Sequence, residues 1–174
     1  MFDEILNKNY FQLFELEQNF VIDAEKLQDK MRELQNIYHP DKFANNQDQL
    51  NMALMVSSHI NHAYKTLQDS QLRAIYLLEL NDIKVDLVYD TKFSPEFLMT
   101  QIMIRERIEE ATANEDIDDF ENLEIELKIE KKKLEDVISA LLHDKKYPEV
   151  IELIKQLAFY NKLLIVVDDN ISSL

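Results

Sequence analysis

The 174-residue chain contains no glycine. Phosphate-cradling loops, dinucleotide-binding turns and nucleophile elbows all need glycine, because a side chain would keep the backbone away from the ligand or forbid the sharp turn. The sequence therefore excludes those sites. Strand-rich folds also depend on glycine turns, so the composition favours helices joined by Asn and Asp turns, and we expect an all-α protein.

The composition also narrows the chemistry and the partners. The chain has no cysteine, which excludes disulfides, thiolate metal sites and cysteine nucleophiles and fits a reducing compartment. The formal net charge is −15, from 19 basic and 34 acidic residues, so the chain repels nucleic acid and anionic membranes. No apolar stretch is long enough to span a bilayer, and no signal-peptide pattern is present. We expect a cytoplasmic protein with neither a nucleic-acid nor a membrane partner.

Helical periodicity organises the first half of the chain around one exposed loop. It predicts helices at about 10–16, 23–38, 47–67 and 71–80. The second of these has a single buried stripe at i, i+4, i+7 and i+11, formed by Leu27, Met31, Leu34 and Tyr38. Pro40 forbids the helix to continue, so the two long helices form an antiparallel hairpin with His39, Pro40 and Asp41 displayed at its tip.

The sequence pattern of the second half predicts a linker followed by a three-helix bundle. Residues 82–93 have no clear period and are the expected linker. Ser94 and Pro95 mark a helix start, and helices are predicted from there to about 113, from about 117 to 144, and from 147 onward. Short connections between amphipathic helices are typical of an antiparallel bundle, which we place at 94–174.

Each helix of this bundle has an apolar stripe for the core, but some large apolar residues fall outside the stripes. The stripe residues are Phe97, Ile104, Ile108 and Ala111, then Phe120, Leu123, Leu127, Leu134, Ile138 and Leu141, then Val150, Ile154, Leu157, Asn161 and Leu164. Outside them lie Leu98, Met99, Ile102 and Met103, continued by Glu106 and Glu110, and Phe159 at about 180° from its own stripe. Either the rest of the chain covers this surface, or it is an apolar partner site with an acidic border.

Enzyme chemistry finds little support in the sequence. His59 and His62 have the spacing of two metal ligands but lack a carboxylate at the same spacing, so we interpret them as a solvated pair. No histidine follows a glutamate by three residues, which excludes the di-iron bundle motif. A Ser-His-Asp triad stays open, although nothing prepares a nucleophile. We predict no enzyme activity, no catalytic residue, no metal site and no cofactor.

The loop after Tyr38 resembles that of the J-domain of DnaJ-type co-chaperones, which has His-Pro-Asp at the tip of a helical hairpin. More of the chain resembles one subfamily, the HscB (Jac-type) co-chaperones of iron–sulfur cluster assembly. The similar motifs run from 10 to 16, 38 to 44, 60 to 67, 73 to 80 and 97 to 106. The chain is thereby identified as a member of that family, with a J-domain at 1–81 and a scaffold-binding bundle at 94–174.

This resemblance implies two binding surfaces and two protein partners. The loop would dock on a dedicated Hsp70 of the HscA type and stimulate its ATPase, through Tyr38, His39, Pro40, Asp41 and Lys42, with Lys26, Lys30 and Arg32 on the preceding helix. The bundle would hold an iron–sulfur scaffold protein of the IscU type, through Leu98, Met99, Ile102, Met103, Glu106, Glu110 and Phe159. The protein would deliver the scaffold to the Hsp70 for cluster assembly or transfer.

Two alternatives stay open, and the chain departs from the family in two places. The protein could be a J-domain co-chaperone for another client, or a helical interaction protein whose His-Pro-Asp is a chance match. Met103 and Thr100 stand where the family often has acidic residues. General J-domains carry a dense basic face before the loop, whereas here the basic residues alternate with acidic ones, so electrostatic steering toward an Hsp70 should be weak.

Overall fold

The computed structural model describes residues 2–85 and 93–173. The chain divides into two compact units, Met1–Ile83 and Lys84–Leu174. The described residues form helices and no strand, which confirms the predicted all-α class. Most of the predicted linker, residues 86–92, lies outside the described residues, and the functional assignment of the two units stays a prediction.

The first unit begins with two short helices, α1 (Phe2–Leu6) and α2 (Tyr10–Leu13). The sequence did not predict α1. The helix predicted for 10–16 begins where expected but ends earlier, at Leu13, because Glu15 adopts a left-handed φ of 55° that α-helix cannot continue through. A capping box starts α2: the Asn9 side chain accepts from the Gln12 amide at 2.8 Å, and the Gln12 side chain accepts from the Asn9 amide at 3.0 Å.

A hairpin of two longer helices, α3 (Ala24–Tyr38) and α4 (Gln47–Gln68), forms the body of this unit. Asp23 is the N-cap of α3, as predicted, and accepts from the Lys26 amide at 3.0 Å. The predicted stripe is also confirmed, since all four of its side chains are buried. A 3₁₀ turn, Pro40–Phe43, lies within the predicted loop. After it, α5 (Ser70–Glu79) packs against α4.

The second unit consists of α6 (Pro95–Asn114), α7 (Ile117–His143) and α8 (Tyr147–Ser173). Ser94 caps α6 as predicted, its hydroxyl accepting from the Phe97 amide at 3.2 Å. Without glycine, the chain places Glu115 and Lys145 in the left-handed conformation that reverses it after α6 and after α7. The three helices thus occupy the predicted segments, with reversals that the sequence assigned to Asn and Asp.

The core of the second unit differs in part from the predicted stripes. The stripes on α6 and α7 enter the core as buried or half-buried side chains. On α8, the first half of the stripe is buried as predicted, at Val150, Ile154 and Leu157. Asn161 and Leu164 are only half-buried, and Tyr160, Leu163 and Val167 are buried in the second half instead. One stripe does not describe the buried surface of α8, because α8 packs beside more than one neighbour and therefore buries a wider surface.

Candidate functional site

The tripeptide His39-Pro40-Asp41, here called the HPD loop, stands exposed at the tip of the α3–α4 hairpin. The side chains of His39 and Asp41 are 56% and 88% exposed. Pro40 opens the 3₁₀ turn, and the His39 Nδ1 atom accepts from the Asp41 amide at 3.3 Å. Because Nδ1 is an acceptor, the neutral ring carries its proton on Nε2, which can donate to a partner. The Asp41 carboxylate, whose Oδ2 lies 3.5 Å from His39 Nδ1, is exposed and can accept from a partner.

Local contacts hold the HPD loop in shape. The Lys42 amide donates to the His39 carbonyl at 3.1 Å, and the Lys42 ammonium donates to the Asn36 side chain at 3.0 Å. Tyr38 is buried, and burial raises the pKa of its hydroxyl. Its predicted part in binding would therefore have to act through support of the loop.

The basic residues on α3 are mostly paired with acids of the same unit. The Lys30 ammonium lies 2.6 Å from Glu15 and 3.0 Å from Glu33, and hydrogen bonding to Glu15 is the main cause that raises its pKa. Arg32 lies 3.6 Å from Asp29. These ion pairs neutralise part of the charge that a partner would meet, in line with the weak steering expected from the sequence.

Four apolar side chains on α6 form a second exposed surface, here called the α6 patch. Their exposed fractions are 44% for Leu98, 59% for Met99, 51% for Ile102 and 62% for Met103. Such a cluster on one helix is uncommon on a surface that contacts only water. Glu106 and Glu110 are also exposed, one and two turns further along the same helix. The predicted apolar surface with acidic residues beyond it is therefore present.

Phe159 is a correction to the sequence analysis. The helical wheel placed it on the outward side of α8, but the side chain is half-buried and packs against the core of the unit. Its ring meets Phe97 edge-on at 5.4 Å and Tyr160 at 5.7 Å. The helical wheel assumes that α8 has one buried stripe, but Phe159 lies outside that stripe and packs against the start of α6. Its place in a binding surface stays a prediction.

Arg107 on α6 binds two acidic side chains on α7, a contact that was not predicted from the sequence. Its guanidinium donates from Nε to both Asp119 oxygens at 3.0 Å and from Nη1 to Glu126 at 2.7 Å. The hydrogen bond from Arg107 is the main cause that lowers the pKa of Asp119. A cavity of about 460 Å³ opens beside this network and reaches Met103 of the α6 patch; it is lined by Thr100, Met103, Ile104, Arg107, Leu123, Glu126, Leu127, Glu130 and Tyr160.

The two histidines of α4 correct part of the sequence prediction, because His59 is half-buried rather than solvated, whereas His62 is exposed as predicted. Both rings meet Tyr10 edge-on, at 5.6 Å for His59 and 5.8 Å for His62, and Tyr76 stacks on Tyr10 at 4.2 Å. Burial, followed by repulsion from His62, lowers the pKa of His59. The described residues contain no group of three or more His, Cys, Asp or Glu side chains able to hold a metal ion.

Known proteins are similar to this chain in both of its units. Residues 93–168 match the family model described as the HSCB C-terminal oligomerisation domain. A co-chaperone protein HscB homolog of Neisseria meningitidis is 39% identical over 155 residues, which cover 88% of this chain and 93% of the relative. The chain belongs to the HscB family of co-chaperones. HscB proteins serve as Hsp70 co-chaperones in iron–sulfur cluster assembly.

Solved HscB structures share the fold over nearly the whole chain. The chaperone HscB from Vibrio cholerae superposes with a TM-score of 0.83 at 31% identity, covering 93% of this chain and 96% of that one. The human co-chaperone protein HscB gives a TM-score of 0.88 at 26% identity, covering 97% and 84%. None of the helices in the described ranges combines the length and apolar character that a bilayer crossing requires.

Proposed function

We propose that this HscB-family protein stimulates the ATPase of a dedicated, HscA-type Hsp70 and delivers an IscU-type scaffold protein to it. Residues 1–81 would act as the J-domain and 94–174 as the scaffold-binding bundle. One observation carries the proposal: two exposed surfaces of different chemistry, the HPD loop and the α6 patch, lie on two separate compact units. Such an arrangement suits a protein that engages two partners at once.

The HPD loop supplies directional polar contacts. The Nε2–H of His39 and the carboxylate of Asp41 offer one donor and one acceptor, displayed side by side on either side of Pro40, whose φ is fixed. A desolvated bond from a partner's arginine to Asp41 contributes about 1.5–3 kcal/mol. To raise ATP hydrolysis, this contact must be stronger in the hydrolysis-competent conformation of the Hsp70 than in its resting one.

The α6 patch supplies non-directional affinity. Each of its four side chains is about half exposed, so a scaffold protein that covers them removes apolar area from water at about 25 cal/mol per Å². Glu106 and Glu110 lie further along the same helix and favour a scaffold segment with basic residues beside its apolar ones. The bundle itself needs no catalytic group for this role.

The test is a separation of the two activities. Asp41→Asn removes the charge but keeps the shape, and should raise the concentration needed for ATPase stimulation at least tenfold while scaffold affinity stays unchanged. Met99→Ala with Ile102→Ala should weaken scaffold binding and leave stimulation by the HPD loop intact. Stimulation is measured as steady-state ATP turnover of the Hsp70, and scaffold binding by calorimetry.

The matched control is the double variant Ile125→Ala, Ile129→Ala, which removes two exposed isoleucines from α7. It should change neither activity. If the Asp41 and α6 patch variants each lost both activities while remaining folded, the two-site proposal would be wrong. A wild-type protein that stimulates the Hsp70 but binds no iron–sulfur scaffold would instead be a J-domain co-chaperone for another client.

A further inference from the structure

The ring of Phe2 on α1 contacts both residues that bracket the HPD loop. Its centroid lies 6.0 Å from that of Tyr38, which ends α3, and 5.2 Å from that of Phe43, which ends the 3₁₀ turn. The contact with Phe43 is edge-on, a favourable geometry for two aromatic rings. One side chain therefore connects the two ends of the loop.

The helix that carries Phe2 is itself fixed to the body of the unit. Ile5, one turn along α1, is only 7% exposed, and α1 packs against α4. Tyr38 is buried and Phe43 half-buried. The three rings thus form a continuous aromatic cluster beneath the loop, anchored to the unit through Ile5 and through Tyr38.

The HPD loop has further support, because its 3₁₀ turn packs against α4 and polar contacts hold its tip. The polar contacts include three hydrogen bonds: the Asp41 amide donates to His39 Nδ1 at 3.3 Å, the Lys42 amide donates to the His39 carbonyl at 3.1 Å, and the Lys42 ammonium donates to Asn36 at 3.0 Å. Exposed hydrogen bonds of this kind compete with water and hold a loop weakly. The Phe2 ring adds apolar support from α1 at both ends of the loop.

We propose that Phe2 is a positioning residue, which holds the HPD loop in its docking-competent shape from behind without touching the Hsp70. This inference rests on the proposed function of the loop. Removing the ring lowers the fraction of molecules whose loop is competent, and the apparent affinity for the Hsp70 falls by that fraction. Maximal stimulation is unchanged, because the partner still meets the intact His39, Pro40 and Asp41.

The size of the effect follows from the ring contacts. An aromatic pair in edge-on or offset geometry contributes enough to shift an equilibrium on the order of two- to tenfold. Phe2→Ala should therefore raise the concentration giving half-maximal ATPase stimulation by about that factor. For Phe2→Leu, which keeps apolar volume but not the ring, this concentration should lie between the values for the wild type and Phe2→Ala. For Phe2→Tyr, which keeps the ring, it should equal the wild-type value.

The decisive readout is residue-resolved amide hydrogen exchange of the free full-length chain. In Phe2→Ala, exchange at residues 41–46 should speed up several-fold while exchange at Leu34 and Ile60 in the α3–α4 core stays unchanged. Val21→Ala, which trims another exposed apolar side chain of the same unit, is the control and should alter neither.

Two results would overturn the positioning role. One is unchanged loop exchange in Phe2→Ala; the other is faster exchange throughout the α3–α4 core, which would show a general structural role. If the wild-type chain failed to stimulate any Hsp70, the proposed function would fail, yet loop exchange would still decide whether Phe2 holds the loop.

Discussion

The Arg107–Asp119 pair should stabilise the attachment of α6 to α7 more than an ordinary surface ion pair does. Arg107 reaches both carboxylate oxygens of Asp119 at 3.0 Å, and the two side chains are only 32% and 31% exposed. Fully exposed pairs contribute about 0.2–1 kcal/mol, and hydrogen bonds to buried charges about 1.5–3 kcal/mol. For a bidentate pair whose side chains are about one-third exposed, we expect a coupling free energy between these ranges, about 1–1.5 kcal/mol.

A double-mutant cycle with Arg107→Met and Asp119→Asn measures that coupling. The free energy of opening is taken from amide exchange at buried residues of α6 and α7, because the chain has two units and a single unfolding transition is not assured. The matched control is Lys132 and Asp136 on α7, 2.9 Å apart and 67% and 66% exposed, where about 0.3–0.5 kcal/mol is expected.

The pH dependence of the stabilisation by Arg107 and Asp119 provides a second test of the same pair. The bond to Arg107 lowers the pKa of Asp119 in the folded protein. The resulting stabilisation is complete above the ordinary aspartate pKa of about 4 and is lost as the pH falls through the lower folded value. A coupling no larger than that of the Lys132 control, or one that persists when Asp119 is protonated, would refute this account.

Two further predictions concern the first unit. Burial lowers the pKa of His59, which contacts Tyr10 and lies beside His62, so its stabilising effect is present above about pH 6.5 and is lost as the pH falls through the folded pKa. The free energy of opening of the first unit, taken from amide exchange at buried residues of α3 and α4, should depend less on pH between about pH 7.5 and 5 in His59→Gln, and equal dependence would contradict the assignment. Arg73 donates to the Phe20 carbonyl at 2.7 Å and to the Leu67 carbonyl, and its guanidinium lies 5.0 Å from the Phe20 ring. Arg73→Lys should therefore lower the free energy of opening of the first unit, measured by the same amide exchange, by about 1–3 kcal/mol, and a change below about 0.5 kcal/mol would show that one bond suffices.

Much of the fold could be predicted because its signals are local. The Asp23 and Ser94 caps, the proline after His39 and the stripe on α3 each act within a few residues, and the structure confirms them. The exposed α6 patch was predictable for the same reason. Four apolar residues outside the core stripe of a helix have to face something other than that core.

The shortened α2 shows where local signals end. Apolar residues continue to Leu16, so periodicity alone extends the helix, but the backbone turns left-handed at Glu15. The sequence assigned reversals to Asn and Asp, the residues that tolerate this conformation best after glycine. Asp82 meets that expectation with a φ of 61°, but Glu15, Glu115 and Lys145 also adopt the left-handed conformation, which no local preference indicates.

By itself, the sequence determined the helical class, the hairpin with its exposed HPD loop, and the surplus of apolar residues at the start of α6. The tertiary structure alone decided that Phe159 packs on Phe97, that His59 lies against Tyr10, and that Phe2 meets both ends of the loop. Periodicity reports which residues share a face of one helix. Which neighbour that face meets depends on how distant segments pack, and each of these contacts joins residues more than thirty positions apart along the chain.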